Sequence, residues 1–181
     1  MRTRDPQRPR TSNLALSAIY GAMYDTSWYQ TLTSAVGQAI SNADGSALLE
    51  IADLLNERND DGTYSGNSLD ALVVVNNLDY GPVGTVDEWA AAASALEAEL
   101  PIMGSYGGYP SAGLAAWPTA HAERAPITAA GAAPIVVVGT THDPATPYPM
   151  AQALASLLSS GVLVSVEGWD HTSYKRGGNQ C

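Results

Sequence analysis

The fold is decided by the segment Pro134-Ile-Val-Val-Val-Gly-Thr-Thr-His-Asp-Pro-Ala-Thr-Pro-Tyr148, in which a short apolar strand leads directly into a loop that carries Asp143. A second segment of the same kind, Val162-Leu-Val-Ser-Val-Glu-Gly-Trp-Asp-His-Thr-Ser-Tyr174, places His171 in its loop. The stretch 150–160 between them is long enough for one helix. Parallel strands joined by a helix bring their carboxyl ends to one edge of the sheet, so we expect Asp143 and His171 to lie close together there.

An aspartate loop followed by a histidine loop has a specific chemical use at such an edge. The carboxylate accepts a hydrogen bond from the imidazole, fixes its tautomer and stabilises the imidazolium that forms during acyl transfer. Acid before base is also the chain order of the second and third members of a Ser-Asp-His triad. Asp143 and His171 are therefore the candidate catalytic acid and base. The plainer alternative is that Asp143 only begins a turn, that Thr146 caps the next helix, and that His171 is a solvated loop residue.

The nucleophile of such a triad is not evident in the chain. It normally lies in Gly-x-Ser-x-Gly between a strand and a helix, and no serine here has glycine at both positions. The nearest match is Met103-Gly-Ser-Tyr-Gly107, whose serine is only 143 − 105 = 38 residues before the aspartate. We expect Ser105 not to be the nucleophile, and the chain to carry the acid and the base without it.

A metal site is an alternative use of the ionisable residues. His142 and Asp170 adjoin the candidate pair, and His121 and Glu123 lie upstream. Their spacings match none of the usual zinc or non-haem iron patterns. We therefore expect no metal and no organic cofactor.

The charge of the chain limits its partners. There are 18 acidic and 8 basic residues, a net charge of −10, and four of the basic residues lie in the first ten positions. Such a body repels polyanions, so we expect no nucleic-acid partner, and we expect the Arg/Pro-rich arm, 1–11, to be disordered. No apolar run approaches the roughly 18 residues of a membrane span, and no apolar stretch follows the basic start as in a secretory signal. Cys181 is the single cysteine, so we expect no disulfide within the chain.

Helical periodicity dominates the region 12–57. Its three apolar stripes are Leu14, Leu16, Ile19, Tyr20 and Met23; then Trp28, Leu32, Ala35, Val36 and Ala39; then Ala47, Leu48, Ile51, Leu54 and Leu55. Further along, Thr85-Val-Asp-Glu88 matches a capping box and begins an alanine-rich helix that Pro101 ends. The Gly/Pro-rich stretch 104–134 predicts an irregular crossing with one short helix.

A continuous apolar run, Ala71-Leu-Val-Val-Val-Asn-Asn77, is typical of a strand that is covered on both faces. Together with 134–139 and 162–166 it predicts three parallel strands. We expect the first or the second of these strands to leave an apolar edge bare, and the purified chain to self-associate through that unpaired edge.

The motifs in this order resemble the C-terminal portion of the tripeptidyl-aminopeptidase-like α/β-hydrolases of actinobacteria, in the S33 peptidase group. The resemblance is carried by Asp-Pro-Ala-Thr-Pro-Tyr (143–148), Glu-Gly-x-x-His (167–171) and Gly-Asn-x-Cys (178–181). Two upstream segments, Leu114-Ala-Ala-Trp-Pro118 and Val75-Asn-Asn-Leu-Asp79, stand where the family often has Cys-x-x-Trp-Pro and Cys-x-Asp. Without those cysteines, Cys181 lacks the partner that the family pattern implies.

The resemblance implies an α/β fold, specifically the C-terminal part of an α/β-hydrolase with few parallel strands, preceded by helical cap segments. It implies helical cap at 12–68 and the α/β-hydrolase part at 69–181, with Asp143 and His171 as triad acid and base. Members of the family are secreted or cell-envelope serine exopeptidases and related esterases, so the implied partner is a peptide with a free N-terminus. Without the nucleophile we expect the chain alone to be inactive. The competing hypothesis is a non-catalytic binding or assembly module on the same scaffold.

Overall fold

The computed structural model describes residues 11–104, 107–109 and 111–174. They form two compact units, of which the first combines the described parts of Met1–Gly66 and Pro126–Cys181 and the second is Asn67–Ala125. The predicted disordered arm lies outside the described residues except for Thr11, which caps the first helix. Ser105 and Cys181 also lie outside them. The predicted division at residue 68 stays a prediction.

The first unit begins with three packed helices. They are α1 (Ser12–Ala22), α2 (Tyr29–Asn42) and α3 (Ser46–Leu55), and a 3-10 turn, Thr26–Trp28, precedes α2. The buried core residues are Ala18, Ala35, Leu48, Ile51 and Ala52. All five residues of the stripe predicted for α2 belong to this core or pack against it, so that stripe is confirmed.

The stripe predicted for α1 is partly wrong, as is the end of the α3 stripe. The buried residues of α1 are Ala18 and Ala22, whereas Tyr20 is 46% exposed, and Leu54 on α3 is 61% exposed. Small side chains on α1 let its backbone approach α3 closely. The larger apolar residues therefore lie beside the contact between the two helices. A prediction from hydrophobicity alone missed the alanines because it favours large apolar side chains.

The first unit ends in the predicted strand–helix–strand motif. Strand β1 (Ile135–Thr140) and strand β2 (Gly161–Val166) are parallel, with Ile135 opposite Gly161 and Thr140 opposite Val166, and helix α7 (Tyr148–Leu157) connects them. Gly139 faces this helix, where a Cβ would lie 2.7 Å from that of Ala151. Glycine is therefore needed for the close packing of α7 on the sheet.

The face of the sheet away from α7 is apolar and exposed. Its residues are Val136 and Val138 on β1, 59% and 38% exposed, and Val162 and Val164 on β2, 47% and 40% exposed. On this face Val136 stands opposite Val162, and Val138 stands opposite Val164. We call these four residues the valine face. Among the described residues the sheet has only these two strands.

The second unit is helical, and the strand predicted for 71–77 is wrong. The segment belongs to α4 (Ser68–Asp79), in which Val73 and Val75 are 55% and 52% exposed. The prediction assumed cover on both faces, and in this unit the described residues contain no strand with which the segment could pair. A helix satisfies its backbone groups internally, and β-branched residues lower helix propensity only slightly. Asp70 in the first turn also favours the helix.

The capping box that begins α5 (Val86–Glu99) is confirmed. The Glu88 N–H donates to Thr85 Oγ1 at 3.3 Å, and the Thr85 N–H donates to Glu88 Oε2 at 2.8 Å. The Trp89 indole N–H donates to the Val83 carbonyl at 2.6 Å. A short helix, α6 (Ala112–Ala115), is the one predicted within the irregular crossing. No helix in the described part of the chain is long and apolar enough to cross a membrane.

The helical core can be tested with two isoleucines. Ile51 is 4% exposed, whereas Ile40 on α2 is 79% exposed. Ile51→Ala should lower the free energy of unfolding by about 2–5 kcal/mol through lost burial and a residual cavity, and Ile40→Ala should change it by less than about 0.5 kcal/mol. Urea denaturation followed by circular dichroism measures both. Equal effects of the two substitutions would contradict this core.

Candidate active site

The two loops that carry the candidate residues meet at the carboxyl edge of the sheet. The loop after β1 begins at Thr141, whose N–H donates to the Val166 carbonyl at 2.9 Å, and the His142 N–H donates to the Gly168 carbonyl at 3.0 Å. Backbone pairing thus continues past the ends of both strands. It brings the two loops into the contact that the parallel arrangement predicts.

Asp143 and His171 are joined directly. His171 Nδ1 lies 3.0 Å from Asp143 Oδ1 and 3.0 Å from Oδ2. The carboxylate side chain is 4% exposed and the imidazole is 28% exposed. When Nδ1 carries the proton and donates it to the carboxylate, Nε2 keeps a free lone pair. That is the tautomer a general base requires. The predicted hydrogen bond is confirmed, and the catalytic role stays a prediction.

Asp143 is held by its own loop. Its Oδ1 accepts the N–H groups of Ala145 and Thr146, each at 2.8 Å, and its Oδ2 accepts the Thr146 hydroxyl at 3.0 Å. Burial raises the pKa of Asp143, but the hydrogen bonds from Thr146, Ala145, His171 and Thr172 outweigh it and hold the pKa well below the usual range. The carboxylate is therefore ionised at neutral pH.

The plainer alternative was that Asp143 only begins a turn. Asp143 does begin this turn, and it also contacts His171. The same carboxylate organises the turn and faces the imidazole. Thr146 does not cap the next helix, because its hydroxyl donates to Asp143 and the capping position of α7 is Pro147, which makes no side-chain cap hydrogen bond.

His171 is held by residues from the helical segment. The backbone N–H of His171 donates to the Tyr24 carbonyl at 2.9 Å. The imidazole and the Tyr24 ring make an edge contact with centroids 4.9 Å apart. Next to it, Asp170 Oδ1 accepts the Thr26 N–H at 2.6 Å. Sequence reasoning missed Tyr24 and Thr26 entirely. No local pattern reports a contact between residues 144 positions apart.

His142 is directed to other partners. Its Nε2 lies 3.0 Å from Glu167 Oε1, and its ring stacks on Trp169 with centroids 4.7 Å apart. In the second unit, His121 Nδ1 lies 2.8 Å from the Asn77 carbonyl oxygen. Three of the residues considered for a metal site, His142, His121 and Asp170, thus contact different partners. In the ranges that the structure covers, no three His, Cys, Asp or Glu side chains are grouped as a metal site requires.

The chain is similar to known proteins over most of its length. Residues 101–181 match the model of the TAP-like protein family. Serine protease Hip1 of Mycobacterium tuberculosis (strain ATCC 25618 / H37Rv) is 35% identical over 176 residues, which cover 94% of this chain and 33% of that protein. Carboxylesterase B of the same strain is 34% identical over 185 residues, covering 99% and 35%. The chain spans about a third of the length of these curated relatives.

The low pKa of Asp143 predicts how stability depends on pH. The unfolded carboxyl takes up its proton near pH 3.9, before the folded one does, so the stabilisation is complete above that pH and is lost as pH falls below it. Asp143→Asn should flatten this acid limb of the free energy of unfolding. Urea denaturation between about pH 2.5 and 6 measures the slopes. An unaltered slope in Asp143→Asn would show that the carboxylate is not held as described.

Proposed function

Because this chain belongs to the TAP-like α/β-hydrolases and corresponds to their C-terminal portion, we propose that Asp143 and His171 are the acid and the base of a Ser-His-Asp triad for acyl transfer. The family expected from the motifs is thus confirmed, together with the α/β-hydrolase fold. The observation that carries the proposal is the contact of a buried, ionised carboxylate with Nδ1 of a partly exposed histidine, at 3.0 Å.

In this mechanism His171 Nε2 takes the proton of the nucleophilic hydroxyl and later delivers it to the leaving group. Asp143 keeps the imidazole oriented and stabilises its protonated form. Its low pKa supports this role, because a carboxyl that stays ionised does not itself accept the proton. A positioned acid–base group of this kind contributes roughly 10²–10⁴-fold to the rate.

The proposed nucleophile is a serine in a Gly-x-Ser-x-Gly turn on polypeptide that this chain does not contain. The chain covers only about a third of each relative, which leaves room in the whole protein for that turn and for its oxyanion donors. The isolated chain would then be inactive. The proposed substrate is a peptide with a free N-terminus, cleaved in aminopeptidase fashion.

Covalent labelling tests this proposal. The isolated chain should not react with a serine-directed fluorophosphonate, because it does not contain the proposed nucleophile. The same chain joined to the upstream polypeptide of its own protein should react, and His171→Ala should then abolish labelling. His121→Asn, which keeps a donor near the Asn77 carbonyl, is the matched control and should label normally.

The contrary result would be labelling of the isolated chain at Ser105. The Met-Gly-Ser-Tyr-Gly segment would then be a degenerate nucleophile turn, and the chain a minimal enzyme. Labelling of the longer protein that survives His171→Ala would instead remove the histidine from the mechanism.

A non-catalytic binding or assembly module is the second candidate function, and the valine face favours it. Four half-exposed valines on one side of a parallel sheet form a surface of the kind that is normally covered. We propose that the isolated chain self-associates through this sheet, by its valine face or by the strand edges that no other described strand pairs.

Sedimentation velocity tests the self-association. The wild-type chain should form dimers or larger species as its concentration rises into the micromolar range. The double variant Val136→Thr/Val162→Thr replaces a facing pair with a residue that retains strand propensity, and it should shift the distribution toward monomer. Val83→Thr, at a valine that is 78% exposed in the second unit, is the control. A wild-type chain that remains monomeric with a sharp cooperative melt would refute the proposal.

A further inference from the structure

We propose that Asp170 is a positioning residue in the histidine loop, which comprises residues 167–174 after β2. Asp170 fixes this loop to the turn 24–26 and so holds the His171 imidazole against Asp143. Its effect on catalysis rests on the proposed function. Its effect on the geometry of His171 does not, and can be measured in this chain alone.

Two adjacent residues of the histidine loop hydrogen-bond to the turn, one as an acceptor and the other as a donor. Asp170 Oδ1 accepts the Thr26 N–H at 2.6 Å, and the His171 N–H donates to the Tyr24 carbonyl at 2.9 Å. The Tyr24 ring also lies edge-on to the imidazole, at an interplanar angle of 68°. The histidine is therefore fixed at its backbone and at its ring by the same short segment of the helical region.

The turn is arranged to present an amide to Asp170. Asp25 is extended, with φ −146° and ψ 119°, and its Oδ1 accepts the Ser27 N–H at 2.9 Å. This capping leaves the Thr26 N–H at the open start of the 3-10 turn, where an acceptor must come from elsewhere. A carboxylate is the stronger kind of acceptor for an amide, which agrees with the short distance.

The histidine loop needs an external restraint because its own conformation is strained. Thr172, directly after the histidine, has φ 66°. The left-handed region is unfavourable for a β-branched residue and persists only where the surroundings enforce it. The Thr172 N–H donates to Asp143 Oδ2 at 3.3 Å, so this strained residue also contacts the carboxylate. When the Asp170 contact is lost, the loop can relax and carry the imidazole away from the carboxylate.

The acid and the base are thus fixed by different parts of the chain. Ala145 and Thr146, in its own loop, hold Asp143, whereas the turn 24–26 holds His171. A change at Asp170 should therefore displace the base and leave the carboxylate in its turn. This separation distinguishes positioning from general destabilisation.

Histidine nuclear magnetic resonance provides the test, because the chain has only three histidines. In wild type, His171 should show a low-field Nδ1 proton from its bond to Asp143. Asp170→Ala should abolish or broaden that signal and leave the resonances of His121 unchanged. Asp170→Asn should restore it, since the amide oxygen still accepts the Thr26 N–H. Tyr24→Phe should preserve it, because the ring edge remains.

Asp44→Ala is the matched control. Asp44 Oδ1 accepts the Ser46 N–H at 3.0 Å, so this substitution also removes a carboxylate from a backbone amide in the same unit. It should lower stability without altering the His171 signal. If Asp170→Ala does not fold, Thr26→Pro removes the amide instead, at a first-turn position that tolerates proline after an extended residue. It should abolish the signal likewise.

The proposal is overturned if the His171 signal persists in folded Asp170→Ala or Thr26→Pro, or if Asp44→Ala removes it equally. In the longer protein with its nucleophile, Asp170→Ala should lower kcat by about 10²-fold with KM nearly unchanged, as misplacement of a catalytic group does. A longer protein that shows no His171-dependent labelling, while Asp170→Ala still removes the signal, would refute the proposed function and leave this inference standing.

Discussion

The contact between a buried carboxylate and an imidazole is the interaction on which the site depends. Asp143 is stable as an anion at 4% exposure only because several donors surround it, and His171 is one of them. The parallel pairing of β1 and β2 places the two loops next to each other. Without that pairing, Asp143 would lose its contact with His171, and the orientation of the imidazole would not be maintained.

Asp143 is restrained mainly by residues of its own loop, whereas His171 is restrained by residues that are distant in the sequence. The aspartate loop is short and proline-containing, and its own amides bind the carboxylate. The histidine loop is extended past its strand and includes a strained Thr172, so it relies on contacts from the helical segment. The helices at the start of the chain therefore contribute to the geometry of the site as well as to the core formed by Leu48 and Ile51.

The parts of this structure that the sequence predicts are those with local causes. The β1–α7–β2 motif follows from two apolar β-branched runs with polar loops after them, and the α5 capping box follows from Thr85 and Glu88. The strand predicted for 71–77 is wrong because a β-branched composition does not show whether a neighbouring strand exists. The contacts of Asp170 with the turn 24–26 were beyond prediction, since they depend on how helices and loops meet across most of the chain.

We propose that His171, oriented by Asp143, acts as the base for a serine of the same protein. The most direct measurement is a crystal structure of the whole protein with a fluorophosphonate bound to its reactive serine. We expect His171 Nε2 to lie within roughly 2.6–3.2 Å of the serine oxygen, with Asp143 hydrogen-bonded to Nδ1. A structure in which another residue occupies the position of the base, with His171 turned away from the labelled serine, would contradict it.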